Sequence, residues 1–463
     1  MDAVPMAATL ATPLDHSHPR LLRGDLSKRH TLAEYVADGG YDRNAWSMSP
    51  SDLRTLVGAS GLSGRGGAGF PAAVKWERVA AQPGQKVLVV NAAETEPGSA
   101  KDRLLLLTRP HAVLEGARLT ALAIGATECV LYLPERRQQT CAAVLAALGE
   151  LCPTSHLRWR VVGAPAAYVA GEESAAVQRA NGRRAVPTYK PPRPFERGVA
   201  GRPTLVHNVE TLANVPLIAR YGSDWFRSVG THTTPGAVLV TLSGSIARSG
   251  VCEVPAGTPL VEIIEGLGGG TGDGFPVQAV LPGGYFSGWL SADALHAGVR
   301  YVRDDLGRFG ASPGSGAISV VSDGVCGLYQ AAALLRFFAD QSARQCGMCI
   351  NGTAAMADAL GRILRGAARP DDLSQLERWA TRTLPGRGAC GHLDGAALAA
   401  RSALQVFSSE IQEHLRFGSC GRPERLVLPG IDPKGMSIYD RDERRPFARA
   451  HQPAALRPLR VLQ

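Results

Sequence analysis

Apolar positions along this chain change period several times, and each change predicts a different element. Lys86 to Asn91 reads KVLVVN, a short continuous apolar run that predicts a buried strand. Residues 111–125 place Val113, Leu114, Ala117 and Leu119 at helical spacing. A second strand follows at CVLYL from Cys129, a second helix over 138–150 and a third strand at LRWRVVG from Leu157. Alternation of this kind predicts a parallel sheet with helices on its faces. Such sheets bind ligands beyond the carboxyl ends of their strands, where the polar segment after Val90 falls.

Residues 30–60 read as a helical lead-in ending in glycine-rich sequence, and residues 185–204 are Pro/Gly-rich and irregular. From Gly236 the strand AVLVTLSG, a Gly-Thr-Pro turn at 257–259, a helix over 260–267 and the strand PVQAVLPGG predict a small mixed α/β module. Residues 323–415 are Ala- and Leu-rich with helical spacing, and predict four helices broken at 346–352, near Pro370 and at 384–391. At 463 residues the chain is too long for one core, so two to four domains are expected.

Composition narrows the class. With 45% hydrophobic and 20% charged residues the chain is an ordinary globular protein rather than a disordered one. No apolar run reaches the roughly 18 residues of a spanning helix. The N-terminus carries no basic stretch followed by an apolar one, so a cytoplasmic location without membrane insertion is expected. The net charge of +9 raises a nucleic-acid reading. Part of the excess, however, is Arg441, Arg444, Arg445, Arg449, Arg457 and Arg460, with no interleaved aromatic platform and no nucleic-acid module. A solvated basic tail is the expectation, with docking of an acidic electron carrier as a further use.

Nine cysteines in such a chain do not form a disulfide framework. Cys129, Cys141, Cys152, Cys252 and Cys326 stand alone among apolar neighbours and read as core thiols. Cys346 and Cys349 form a C-x-x-C pair, for which metal or redox chemistry is the leading reading.

Two further features carry chemistry. Residues 61–70, GLSGRGGAGF, place glycines at 64, 66, 67 and 69, which suits a loop wrapping a phosphate, and Lys75 supplies a cation beyond it. This loop follows a helical stretch rather than a strand, so alone it is equally a flexible turn. Glu94 and Glu96 lie two apart after a predicted strand, so an extended loop would turn both to one side. A second pair, Glu172 and Glu173, follows another strand. Such carboxylates accept hydrogen bonds from ribose hydroxyls or position a polar ring.

In order, GLSGRGGAGFPAAVKW, NAAETEPGSAKDR, AYVAGEESA, the KPP at 190–192 and GRPTLVHNVETLANVP resemble the successive motifs of the complex I NADH-binding flavoprotein family. Related subunits occur in NAD-dependent hydrogenases and formate dehydrogenases. The resemblance covers most of the chain, and together these motifs are highly specific. It implies an α/β flavin-binding domain with a parallel sheet over 1–225 and a small ubiquitin-like β-grasp domain over 226–322. A C-terminal four-helix bundle carrying the cluster site over 323–425 and a basic tail over 426–463 would follow. Positions implied for FMN are Gly64, Gly66, Lys75, Asn91, Glu94, Gly171, Glu172, Glu173, Asn208 and Thr211, with Arg65 helping to neutralise the phosphate. Glu94 and Glu173 stand nearest the chemistry as ligand-orienting groups. His207 replaces a usual asparagine and is expected to offer a donor to the ring or ribityl chain, while Ala93 replaces a usual aspartate. The latter loss costs about 1 kcal/mol, which FMN binding should survive.

Positions implied for the nicotinamide nucleotide are Phe70, Glu96, Tyr168, Glu173 and Lys190. Arg78 and Arg193 stand where two aromatics usually sandwich the adenine. Guanidinium groups stack on adenine or receive a 2′-phosphate, so NAD(H), NADP(H) and a pocket binding neither all stay open. The family holds a 4Fe–4S cluster by C-x-x-C-x-x-C and a later cysteine. Here Cys346, Cys349 and Cys390 match and the third cysteine of the motif is absent. A 4Fe–4S centre is expected ahead of 3Fe–4S or 2Fe–2S, with zinc on the same ligands as another outcome. His392 is the nearest substitute ligand, against a reading as an exposed helix-cap residue, and Cys420 is a more distant candidate. The implied reaction passes electrons from NAD(P)H through FMN and the cluster to a ferredoxin, thioredoxin-like or otherwise, within a larger redox complex. The alternative is a non-catalytic wiring or assembly component that keeps the fold.

Overall fold

The structure, a computed structural model, describes residues 20–151 and 157–431. Cys152, the N-terminal stretch and the arginine-rich tail lie outside the described residues. Strands β1 (Lys86–Asn91), β2 (Ala126–Pro134), β3 (Arg158–Ala164) and β4 (Thr204–Asn208) form an all-parallel sheet of order β3-β2-β1-β4. KVLVVN is continuously apolar because both sheet faces are covered. Leu88 and Val90 pack with the helices Pro50–Ser60, Pro110–Ile124 and Val209–Arg227. Val87 and Val89 point the other way, toward Ala176 and Val177 of the helix Glu173–Ala180. Proline opens the helix Pro110–Ile124, and Gly125 closes it at φ +71°.

Strand β4 lies inside sequence that reads as a loop followed by a motif. Its run TLVHN is only five residues long and ends in polar His207 and Asn208. The chain leaves β1 toward β2 on one side and returns as β4 on the other, so the crevice beyond β1 and β4 is the topological switch point of the sheet.

A second sheet contains β5 (Ala237–Gly244), β6 (Gly250–Pro255), β7 (Val277–Leu281), β8 (Leu290–Ser291) and β9 (Ala317–Ser322), in the order β6-β5-β9-β7-β8. Strands β5 and β9 run parallel and the other pairs antiparallel. Ile263, Ile264 and Leu267, on the turn of helix Glu262–Leu267, fill the core against this sheet.

The C-terminal region is helical: Gly327–Asp340, Gly347–Leu364, Asp372–Arg378 continued by Trp379–Thr383, His392–Val406 and Ser408–Phe417. Two expectations are corrected here. The chain breaks before Cys346 rather than across 346–352, so Cys349 and Gly352 lie within a helix. Gly352 is needed there for close packing, since a Cβ would meet the Leu384 side chain at 2.6 Å. The four expected helices are five segments, because Phe407 forms a turn between His392–Val406 and Ser408–Phe417 with no glycine or proline to mark it in the sequence. Among the described residues no helix is long and apolar enough to cross a membrane.

Candidate functional site

The glycine loop reaches the switch point because both of its ends are tied. Ser63 and Pro71 form an antiparallel bridge, Gly64 N donates to Phe70 O (2.8 Å) and Ala72 N to Leu62 O (2.9 Å). The loop then seats against the carboxyl end of β4. A Cβ on Gly66 would stand 3.1 Å from Asn208 Cβ, and Arg65 N donates to Thr211 Oγ1 at 2.9 Å. Opposite, Asn91 Nδ2 donates to Gly171 O (2.8 Å), and a Cβ on Gly171 would meet Ala93 O at 2.9 Å. Glycine backbone, the strand-end asparagines and half-buried Lys75 thus converge where a phosphate-bearing ligand meets a doubly wound sheet.

Arg65 has protein acceptors of its own. Its buried guanidinium donates to Pro235 O and Ala237 O (3.2 Å each) and to Ser63 Oγ, so it fastens the loop to the start of β5. Beneath it lies a buried network with no separate sequence signal. Lys101 Nζ pairs with Asp102 and Glu210 at 2.8 Å each, Asn208 bridges Lys101 and Asp102, and Glu210 accepts from Leu239 N at 3.0 Å. His207 is tied to the core on one side. It is buried, accepts from Trp76 Nε1 at Nε2 (2.7 Å), and is pushed down to about 3 by burial, with Lys75 adding to the shift. It is therefore a neutral ring whose Nδ1 carries the proton and keeps a donor.

Glu94 and Glu96 face different ways, against the expectation of a shared side. Glu94 accepts from Ser99 Oγ (2.6 Å), Asp102 N (2.9 Å) and Arg103 N (3.1 Å), and pairs with Arg137 at 3.0 Å. It thereby caps the helix Lys101–Thr108, whose own N-cap, Ala100, has no side chain to do so. Glu96 turns toward the other domains, accepting from Tyr168 OH (2.9 Å) and Tyr285 N (3.2 Å). Burial pushes its carboxyl up to about 8 despite both donors.

Glu172 caps the helix Glu173–Ala180 through Ser174 N and Ala175 N. Lys190 lies 2.6 Å from Glu172 and 3.3 Å from Glu173, and Lys75 lies 3.3 Å from Glu173. The two lysines hold the Glu173 carboxyl below its usual range against the opposing effect of burial. Exposed Arg78 stands 5.4 Å from the Phe70 ring and 5.7 Å from that of Phe195, while Arg193 is exposed.

Tyr168 links this surface to the helical region. Its ring packs edge-on against Phe286, Phe337 and Phe338, and its backbone N–H donates to Gln341 Oε1 at 3.2 Å. Cys346 caps the helix Gly347–Leu364 and Cys349 sits in its first turn. Cys390 is close enough to both to raise Cys349, which burial chiefly pushes up to about 11, and it also feels Glu172 and Lys190. Three thiols thus gather at two helix ends beside the lysine–carboxylate group.

His392 is not an exposed cap. Its buried ring lies among Tyr168, Phe286 and Phe338, with Nε2 donating to Phe338 O at 2.8 Å. Cys326 is not a solitary core thiol either. Its sulfur, His414 and Cys420 each offer a ligand atom within 4.8 Å of the others, which also sets Cys420 apart from the Cys346 group.

These features define a flavin and iron–sulfur class of protein. Residues 57–217 match the family model described as the Nuo51 FMN-binding domain, and residues 329–414 match that of the NADH-ubiquinone oxidoreductase-F iron-sulfur binding region. The second NADH-quinone oxidoreductase F-subunit of Rhizobium meliloti (strain 1021) is 35% identical over 418 residues, covering 87% of this chain and 99% of the relative. The corresponding NADH-quinone oxidoreductase F-subunit of Escherichia coli (strain K12) is 31% identical over 427 residues, covering 89% and 95%. The NAD+-reducing [NiFe]-hydrogenase, solved in the air-oxidized state, matches with a TM-score of 0.76 and 28% identity over 89% of this chain and 69% of that one. The chain belongs to the family of NADH-quinone oxidoreductase F-subunits.

Proposed function

We propose that this chain oxidises a reduced nicotinamide nucleotide and passes the electrons through FMN and an iron–sulfur centre to a partner protein of a larger redox complex. The observation that carries this reading is the adjacency of two sites. Lys75 and Lys190 converge on the Glu172–Glu173 pair beyond the glycine loop, and Gln345, next to Cys346, donates to Pro187 O of the segment that carries Lys190 (2.5 Å). FMN fits the first site, because Gly66 lets the loop pack closely against Asn208 and Gly171 lets its segment pack closely against Ala93 at the carboxyl ends of the strands, with Lys75 as the nearby cation. An iron–sulfur cluster suits the second, where Cys346 and Cys349 share one helix start and Cys390 stands close enough to interact with both.

When bound, FMN accepts a hydride and releases electrons singly, which suits a one-electron cluster. The protein supplies orientation. Asn91 and Gly171 shape the carboxyl-end crevice, Glu173 held between two lysines offers an ionised acceptor for ribose or amide groups, and Phe70 with Arg78 presents a stacking face for adenine. Glu94 acts through the helix it caps rather than on the ligand. Arg78 and Arg193 suit a 2′-phosphate and favour NADPH. The cluster is a 4Fe–4S centre on Cys346, Cys349 and Cys390 with its fourth iron outside thiolate ligation.

We read the second sheet as a ubiquitin-like β-grasp domain on its strand order and the parallel β5/β9 pair, and the helices after it as the cluster-bearing bundle. The electron acceptor is a ferredoxin-like protein. Anaerobic purification followed by flavin identification and stopped-flow reduction with NADH and NADPH tests the proposal. Released FMN and nucleotide-driven bleaching are expected, with a preference for NADPH that falls in Arg78→Phe and Arg193→Phe. A protein that holds FMN and iron yet is reduced by neither nucleotide would replace this reading with that of a wiring component.

A further inference from the structure

A second thiol and imidazole group lies at the far end of the helical region. Cys326 is the N-cap of the helix Gly327–Asp340, and its sulfur accepts from Tyr329 N at 3.3 Å. His414 is buried on the helix Ser408–Phe417. Its Nδ1 lies 2.7 Å from Leu364 O, and because a carbonyl only accepts, Nδ1 carries the proton. That leaves Nε2 as a bare lone pair, 3.5 Å from Cys326 Sγ. Cys420 follows the helix after Gly418 and completes a group whose three ligand atoms all lie within 4.8 Å of one another.

The spacing is that of a single ion. Tetrahedral zinc, with Zn–S of about 2.3 Å and Zn–N of about 2.0 Å, sets an S···N edge of about 3.5 Å. A backbone carbonyl that fixes the tautomer of a ligating histidine is the usual outer-shell arrangement. Glu410, whose Oε2 lies 3.8 Å from Cys326 Sγ, is held by Leu328 N at 2.7 Å and by Gln278. Its carboxylate is therefore already engaged, and Cys420 is the ligand on the solvent side.

We propose that Cys326, His414 and Cys420 bind a zinc ion, with water at the fourth position, separate from the iron–sulfur centre. The ion would anchor the strap that follows Cys420. That strap runs back over the helical region, with Cys326 N donating to Pro423 O (3.0 Å), Gln330 Nε2 to Arg425 O (2.8 Å) and Val427 N to Gln330 Oε1 (3.0 Å). It ends with Pro429 accepting from Tyr285 OH and Gly430 against Pro97, beside the loop that carries Glu96. Zinc thus fixes one end of a segment whose other end braces the candidate nucleotide loop.

The test is zinc and iron content of anaerobically purified protein, together with cobalt(II) substitution of cluster-loaded protein. One zinc per chain and tetrahedral cobalt bands with thiolate charge transfer are expected. Zinc should be lost in Cys420→Ser, a partly exposed site that tolerates substitution, and in His414→Gln, while flavin and iron remain. It should be retained in Cys390→Ser, where iron falls. Zinc well below one per chain, zinc unchanged in both Cys420→Ser and His414→Gln, zinc lost in Cys390→Ser alone, or a Cys326–Cys420 disulfide in peptides from the anaerobic protein would each overturn the assignment.

Discussion

Replacing Glu96 with glutamine isolates the ionisation of one buried carboxyl. The native group titrates near 8, against 4.5 when solvated, because it is enclosed by Tyr168, Tyr285 and Gly284. Gly284 has φ +90°, and a Cβ there would meet the Glu96 carboxyl carbon at 2.6 Å, so the enclosure depends on that glycine. The native state therefore binds more protons than the unfolded chain between pH 4.5 and about 8. Stability must fall as pH rises through that window and level off above it. Between pH 6 and pH 9 the loss is on the order of 2–3 kcal/mol, from about 1.4 kcal/mol per pH unit up to the native titration point.

Glutamine reproduces the protonated form. Its amide donates to Tyr168 OH, its carbonyl accepts from Tyr285 N, and nothing ionises. Melting temperatures of both proteins at pH 6 and pH 9, taken as the difference between them, cancel the other titrating groups. Glu96→Gln should melt close to the parent at pH 6. At pH 9 it should melt higher by roughly 5–10 °C, using 2–4 °C per kcal/mol for a domain of ordinary size. A difference that does not change between the two pH values would refute the reasoning and make Glu96 an ordinary, solvated carboxylate.

Other substitutions probe the remaining parts. Gly66→Val places side-chain atoms against Asn208 and should weaken FMN retention about tenfold or more, read by flavin fluorescence after gel filtration. Lys101→Met strips the cation from buried Asp102 and Glu210 and should cost about 3–5 kcal/mol in denaturant unfolding. An unchanged midpoint would mean that the network is hydrated. Cys390→Ser should deplete iron, whereas His392→Ala should keep it, because the ring is packed among Tyr168, Phe286 and Phe338 with Nε2 on Phe338 O, although its Nδ1 is left without a partner among the described residues. Iron analysis and EPR decide between them, and loss in His392→Ala would make that ring the fourth ligand.

The sequence was most readable where one local interaction decides structure. β1, β2 and the helix Gln138–Glu150 follow directly from apolar runs and spacing, because each buries its face against neighbours of the same motif. It was least readable where a polar side chain chooses among distant partners. Arg65 beside four glycines suggests a phosphate, yet its acceptors are carbonyls 170 and 172 residues away. Glu94 and Glu96 have the spacing of a shared face, but the helix beginning at Lys101 needs a cap and takes Glu94. Cys326 has apolar neighbours in the chain, while His414, 3.5 Å from its sulfur, lies 88 residues on. The x5 spacing from His414 to Cys420 was the available signal, and only folding shows that Cys326 joins it.

Distant partners also place the candidate nucleotide loop at a junction instead of on one domain. Residues 92–100 leave β1 at the switch point, and Ala100 N then donates to Thr241 Oγ1 of β5 at 3.1 Å. Glu96 accepts from Tyr285 N, between β7 and β8, and from Tyr168 OH, between β3 and the helix Glu173–Ala180, and both tyrosines pack into the helical core. One carboxyl therefore meets groups from two distant segments that share that core. Opening any one of these contacts exposes Glu96 to water, which lowers its titration point toward the ordinary carboxylate range. Protonation of Glu96 and the packing of Tyr168 and Tyr285 around it are therefore linked, so ionisation of the carboxyl works against these contacts and their tightening favours the neutral form.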